Sequence, residues 1–407
     1  MTFLLQVDGT RWHANADQVL AEFDDEATGG MLIPVAKSNG YGLGQARVAQ
    51  QMRARQRPIL SVGTIHEALA SDLDWDADLL VLTPWNQAES AAEDAWHQVR
   101  QRYGTRLITT VADSASLRAI ARDAHPERPS RVLVEGLTSV RRFGFIEPEL
   151  QAELRDPVLV SALQSGAVRL CGLALHLPIA QPEIAQTSAG RHLASDPPTE
   201  PVIDGSGKVQ QAAAWGLWWL EQMAQLSQQC GPEADFTAAA QLWVSHVSAQ
   251  ELRQLRAQLR DVAVNPRVGT ALWLGDSGAL QAHGVVLAVH ASNPGGAGYF
   301  QRRVPSGAHL VIVGGGTNHG VAMSGPIGSA TLRRRVTTVG NSLLDAAGRP
   351  ISPFRWHGKR LRFLEAPHAS VSLVIVPKGV PAPGIGAALP CQIRLSTAHF
   401  DHVDGLT

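Results

Sequence analysis

Short aliphatic runs recur along the chain at 32–36, 59–63, 78–82, 106–111, 131–135, 169–175, 240–245 and 267–273. Amphipathic stretches separate many of them, among them 87–102, 113–123, 149–164, 209–229 and 249–259. Strands that alternate with helices imply a parallel sheet, because parallel neighbours need a crossover connection. Eight such units predict a closed (β/α)8 barrel of the TIM type over residues 12–277. An open, doubly wound sheet is the alternative.

Beyond residue 278 the texture changes. Segments 283–290, 308–313 and 370–376 are strand-like, Gly and Pro are dense, and long helical periodicity is scarce. This predicts a β-rich C-terminal domain over 278–407, with the N-terminal residues 1–11 adding an edge strand. Residues 177–208 and 323–358, the latter with three arginines at 333–335, read as insertions that form a lid or a surface elaboration. Trp215, Trp218 and Trp219 share one helical stretch and are expected to pack apolar surface.

Composition narrows the classes of function. At 44% hydrophobic and 17% charged residues the chain can bury a core and is not disordered. Lys and Arg number 35 against 36 Asp and Glu, a net charge of −1, so no basic excess points to nucleic acid or an anionic membrane. Cys171, Cys230 and Cys391 are too scattered for a disulfide framework or a CxxC metal site, which favours a reducing cytoplasm. The start, MTFLLQVDGTRW, has neither the basic lead nor the apolar core of a secretion signal. No run of about 18 apolar residues predicts a membrane span.

Several positions carry chemistry. In VAKSNGYGLG (35–44), Lys37 directly follows an apolar strand. Barrel active sites gather at the carboxyl ends of strands. A lysine held there away from water has a lowered pKa and can form a Schiff base. Gly40, Gly42 and Gly44 around Tyr41 let backbone approach a ligand; the same turn also suits a plain surface lysine. Arg267 lies in NPRVGTALWLG, Arg142 in RRFGF, and His176 in GLALHLP after a strand. Each of them alone also fits an ordinary ion pair or core role. Ser248 and Glu251 in VSHVSAQEL form an S-x-x-E capping box, and a helix start is also a phosphate site. Tyr299 in GGAGYF is one of three tyrosines, with Tyr41 and Tyr103.

In this order and spacing, the six sites between about residues 35 and 320 resemble the alanine racemase family, the fold-type III pyridoxal-phosphate enzymes. The resemblance implies a barrel with a C-terminal β domain, pyridoxal 5′-phosphate as cofactor, an amino-acid substrate and a head-to-tail homodimer. It implies that Lys37 bonds the cofactor and that Tyr41, Ser248, Gly269 and Thr270 hold its phosphate. Arg267 would donate to the ring nitrogen. A guanidinium keeps its proton, so the ring stays a weak electron sink and proton return to Cα is favoured over transamination. Arg142 would reach the cofactor and the substrate carboxylate, and His176 would pack on the ring. Seven residues before Arg142 the family often carries a carbamylated lysine; Glu135 stands there and supplies a carboxylate without modification. Racemisation needs an acid/base on each face of Cα: Lys37 on one, Tyr299 of the partner subunit on the other.

Departures gather at the substrate end. Thr317 stands for the pocket tyrosine, and Pro367 and His368 fall near the family's methionine-aspartate pair. Apart from these, Val244 and Val247 replace the family's histidine and asparagine before Ser248, around the cofactor, and Val268 replaces proline after Arg267; the stretch before Arg141 reads LTSV and bears on substrate fit. The expected activity is interconversion of L- and D-alanine, as a supply of D-alanine for cell-wall precursors. Two other readings stay open. One is a cofactor-binding paralogue whose pocket has drifted. The other is a lyase or aldolase on a D-amino acid, which calls for a metal and finds no His/Cys ligand pair in the sequence.

Overall fold

A computed structural model describes residues 2–70, 73–179, 207–231, 236–292, 295–323 and 350–406. Most of the two insertions expected at 177–208 and 323–358, including the arginines at 333–335, lies outside the described residues.

The chain opens with β1 (Phe3–Val7) and α1 (Gly9–Phe23). Eight strands then alternate with helices: β2 (Ile33–Pro34), α2 (Gln45–Ala54), β3 (Ile59–Val62), α3 (Ile65–Ala68), β4 (Asp78–Val81), α4 (Glu93–Tyr103), β5 (Leu107–Val111) and α5 (Ser114–Asp123). There follow β6 (Ser130–Gly136), α6 (Glu147–Leu154), α7 (Pro157–Gln164), β7 (Val168–His176), α8 (Lys208–Cys230), β8 (Gln241–Ser245), α9 (Ala249–Gln258), β9 (Ala263–Val268) and α10 (Thr270–Leu274). Strands β2 to β9 form one parallel sheet in the order β2-β9-β8-β7-β6-β5-β4-β3. A parallel bridge from Val35 to Ser61, with Ala36 N–H donating to Ser61 O at 2.7 Å, joins the two ends into a ring. The (β/α)8 expectation is met.

The lumen is filled as sheet geometry requires. Ile33, Leu80, Ile108, Leu133, Ala174 and Trp243 form one buried cluster, and ladder partners share a face. Glu135, Ala174, Trp243 and Asn265 are therefore one inward row across β6 to β9. The next inward row toward the carboxyl ends is His176, Ser245 and Arg267, level with Ile33. The apolar lower lumen thus carries a polar upper rim, where barrel enzymes place their chemistry.

Two expectations need correction. The last barrel strand is Ala263–Val268, not 267–273, and Ala271, Leu272 and Trp273 belong to α10. The Asn265–Pro266 pair reads as a breaker, yet a proline removes only one ladder donor and β9 keeps pairing on both sides. The single helix expected at 149–164 is two, α6 and α7, divided at Asp156. Pro157 disfavours helix at the residue before it, and Asp156 caps α7 by accepting from Val158 N–H at 2.9 Å.

The β-rich part comprises β10 (Leu280–Ala291), β11 (Gly296–Ala297), β12 (Arg302–Arg303), β13 (His309–Gly314), β14 (Ile351–Trp356), β15 (Lys359–Phe363), β16 (Val371–Val376), β17 (Ala388–Cys391) and β18 (His402–Asp404). Its main sheet runs β13-β16-β15-β14-β17-β10-β1-β18, and β13 also pairs with β10. The N-terminal strand is not at an edge: β1 lies between β10 and β18. Phe3, Val286, Val311, Val313, Phe354 and Val374 lie in its core.

Two compact units result. One comprises residues 1–16, 39–44 and 273–407; the other, the barrel, comprises 17–38 and 45–272. All three cysteines are free thiols. Among the described residues, no helix is long and apolar enough to cross a membrane. Trp215 and Trp219 are buried on α8, as their expected packing role requires.

Candidate active site

Lys37 stands just past β2, where Ser38 takes a left-handed φ of 56°. Its stem lies over Gly63: a Cβ at that glycine would stand 3.1 Å from Lys37 Cβ and 3.0 Å from the Glu67 carboxylate. Glu67, on α3, accepts from Gly63 N–H at 2.7 Å and from the Ser38 backbone. Burial raises its pKa, while those amides, Thr64 and the Lys37 charge act the other way. Glu67 therefore braces the turn that carries the lysine. Lys37 itself is exposed in the single chain, so burial does not supply the desolvation expected for it.

The inward row gathers the other groups. Arg267 is 6% exposed; it donates through Nη2 to Leu175 O at 2.9 Å, and among the described residues its Nε–H has no acceptor. Glu135 is 1% exposed, and among the described residues both its carboxylate oxygens lack a donor. Burial pushes Glu135 up in pKa, and the nearby Arg267 and Arg142 charges pull it down. His176 meets Ser245 Oγ through Nδ1 at 3.1 Å and stacks edge-on against His246 at 4.9 Å. Desolvation, then the charges of Arg142 and Arg267, pull His176 down to about 3. Desolvation, then Lys37 and Arg267, pull His246 down to about 4. Lys37, Arg142, His176, His246 and Arg267 are thus close enough to sense one another, and both imidazoles are neutral near pH 7.

This sets a pH dependence. Both histidines titrate lower in the folded chain than the unperturbed value of about 6.5. Between about 6.5 and 4 the unfolded chain binds protons that the native barrel refuses, so stability falls as pH falls through that window. The thermal midpoint should drop on acidification from pH 7 to 4, and His176→Asn should flatten that slope in calorimetry.

Arg142 is presented by a loop that returns to β6 beside Glu135. Phe145 N–H donates to Glu135 O at 2.9 Å and Leu137 N–H to Phe145 O at 2.8 Å. The close approach needs Gly144, at φ 127°, whose Cβ would lie 2.5 Å from the Gly136 carbonyl carbon and Leu137 N. The Arg142 guanidinium sits over Phe143, 5.2 Å from its ring centroid. Gly144→Ala should break this seat, at a cost of about 2 kcal/mol or more in urea unfolding, and should raise the KM of a carboxylate substrate more than it lowers kcat.

Ser248 caps α9 in a full capping box. Its hydroxyl accepts from Glu251 N–H at 3.3 Å, and Glu251 accepts from Ser248 N–H at 2.7 Å. The hydroxyl proton stays available as a donor. Lys208, at the start of α8, bonds Glu251 at 2.9 Å and His246 O at 2.6 Å. Gly269 and Thr270 stand where β9 passes into α10.

Three expected residues belong to the β-rich unit. Tyr41 is buried at φ 60° in a turn in which Asn39 accepts from Gly42 N–H at 3.0 Å and donates to Ala398 O. Tyr299 is 79% exposed and stacks on His368. Thr317 is exposed and donates its N–H to His368 O at 2.9 Å.

Residues 7–196 match a family described as alanine racemase, N-terminal domain. This stretch is similar to the N-terminal domain of alanine racemases. The alanine racemase of Nitratidesulfovibrio vulgaris strain Hildenborough is 32% identical over 121 residues, 30% of each chain; that of strain DP4 is 31% identical over the same length. The match thus spans about a third of the curated relatives. The fold is also that of the alanine racemases. The alanine racemase of Clostridium difficile 630 superposes with a TM-score of 0.59 at 13% identity, over 99% of this chain and 96% of that one. That of Bartonella henselae, described with covalently bound pyridoxal phosphate, gives 0.57 at 14%, over 99% of both.

Beside the residues expected from the alanine racemase resemblance, the site holds Glu67, Ser245 and Lys208, which sequence reading missed. His246, within the VSHVSAQEL segment that carries Ser248, faces His176. A Glu on a short helix, a Ser ending a strand and a Lys at the end of an insertion carry no local signal; strand register and crossovers bring them in.

Proposed function

We propose that this chain is a pyridoxal-phosphate-dependent amino-acid racemase acting on alanine, with Lys37 and Tyr299 of the partner subunit as its two acid/bases. One observation carries the reading. An always-charged guanidinium is buried at the barrel rim with its Nε–H unfilled, among two neutral histidines and a lysine at a strand end. A buried donor without an acceptor is costly, and a ligand acceptor such as a pyridine nitrogen would relieve it. The donor set fits the cofactor.

Lys37 would hold the group covalently through Nζ, Arg267 would donate to its ring nitrogen, and His176, neutral, would pack on its face. Ser248, Gly269, Thr270 and Tyr41 would hold its phosphate. When bound, the cofactor delocalises the electron pair left when Cα loses its proton. Lys37 moves a proton at Nζ on one face of Cα, and Tyr299 of the partner subunit does so at its phenol oxygen on the other. Arg142 holds the substrate carboxylate and thereby fixes to which base the single Cα–H bond of each enantiomer points. The active unit is a head-to-tail homodimer in the cytoplasm, and Thr317 shapes the substrate end.

The test is solvent deuterium uptake at Cα of L- and D-alanine by the cofactor-loaded protein, read with chiral chromatography. Exchange with inversion in both directions is expected. A yellow, borohydride-reducible protein that exchanges no amino acid would instead favour the drifted paralogue, for which Val244, Val247 and Thr317 speak.

A further inference from the structure

In the β-rich unit, the loop that carries Tyr299 is tied to a carboxylate with no role so far. Glu365 is 2% exposed. It accepts from the backbone N–H groups of Tyr299 and Phe300 at 3.0 and 3.1 Å, and its Oε1 meets His368 Nε2 at 2.7 Å. Burial pushes its pKa up, but these hydrogen bonds outweigh it and the group lies below the usual carboxylate range. Gly298, at φ 75°, leaves the space this needs: a Cβ there would stand 2.4 Å from Glu365 Oε2. The imidazole so fixed lies against the Tyr299 ring, with centroids 4.2 Å apart and planes 18° from parallel. His368 N–H also donates to Val371 O at 2.9 Å, so its backbone is anchored to β16.

One ionised carboxylate therefore holds both ends of the stack, the tyrosine through its backbone and the imidazole through its ring. Within its own chain, a phenol that is 79% exposed has few other contacts to choose its rotamer. Proton transfer needs that rotamer, since a misplacement of about 1 Å can cost about 100-fold in rate.

We propose that Glu365 and His368 form a bracket that sets the pose of Tyr299 for proton transfer. They are positioning residues, and the proposal rests on the two-base reading above. In the direction where Tyr299 is the base, its phenolate oxygen takes the Cα proton and the C–H electron pair stays with the substrate. The ammonium of Lys37 in the other subunit then gives its proton to the opposite face. Phenol and amine are left, and exchange with water restores them.

The experiment uses the cofactor-loaded, full-length protein labelled with 3-fluorotyrosine. The chain has three tyrosines, Tyr41, Tyr103 and Tyr299, and Tyr299→Phe assigns the Tyr299 resonance by its loss. The wild-type resonance should carry a ring-current shift that His368→Ala removes and His368→Phe retains. His368→Ala should lower kcat for inversion about 30- to 100-fold with KM within about twofold, and His368→Phe should recover to within about fivefold. Deuterium exchange at Cα without inversion, through Lys37 alone, should persist in His368→Ala. If Tyr299→Phe is inactive while His368→Ala keeps the wild-type resonance or the wild-type kcat, the bracket is wrong and the two-base reading stands. If Tyr299→Phe inverts alanine at the wild-type rate, the two-base reading fails and takes the bracket with it.

Discussion

Lys37→Ala is expected to lose the borohydride-trappable cofactor and to lower racemisation by about 10⁴-fold or more. The amine is the covalent anchor and one of two proton carriers, so its loss removes two functions at once. Its replacement by another lysine is not at hand. Lys208 is engaged with Glu251 and the His246 carbonyl, and Lys359 and Lys378 belong to the β-rich unit. The fold should be unaffected, since the side chain is exposed, and exposed substitutions usually shift stability by about 0.5 kcal/mol or less. Absorbance of the bound cofactor, chiral product analysis and urea unfolding on one preparation separate the two effects. A variant that still inverts alanine would contradict the assignment.

The second large effect belongs to Arg267. Its guanidinium and the Glu135 carboxylate are both buried, without a direct hydrogen bond between them. Removing one member of a buried charge pair leaves the other uncompensated, at about 3–5 kcal/mol. Arg267→Leu should cost that much in urea unfolding and abolish turnover. Arg267→Leu with Glu135→Leu should be more stable than Arg267→Leu alone. The sign with pH follows from Glu135. Its pKa is already raised by burial and rises further without Arg267. A carboxyl whose folded value exceeds its unfolded value contributes stability below the unfolded value and loses it as pH rises through the folded one. The deficit of Arg267→Leu should therefore grow from pH 5 to pH 8. Equal stability of the single and double variants would show that the two charges do not compensate each other.

These predictions bear on how far sequence alone reaches. The barrel was legible because β-branched runs and amphipathic stretches alternate on a scale of about 30 residues, and that rhythm permits few topologies. Two elements next to prolines differ from expectation. Pro266 sits inside β9 and Pro157 starts α7, so one strand was expected too late and two helices as one. Lys37, Arg142, His176 and Arg267 were legible from short patterns in a fixed order. Glu67 was not, since a glutamate on a one-turn helix looks like solvated surface until its amide partners at Gly63 and Ser38 are seen. Ser245 enters through the register of β7 on β8, and His368 through a chain reversal that brings it to Tyr299. Contacts of that kind are set by strand pairing, and no spacing along the chain announces them.

The most direct measurement is a site map of the trapped cofactor. The lysines of the chain are Lys37, Lys208, Lys359 and Lys378. Borohydride reduction of the protein incubated with pyridoxal phosphate, followed by proteolysis and mass spectrometry, assigns the reduced adduct to one of them. The adduct is expected on Lys37 at near one equivalent per chain. An adduct mainly on Lys208, Lys359 or Lys378, or none at all, would contradict the account.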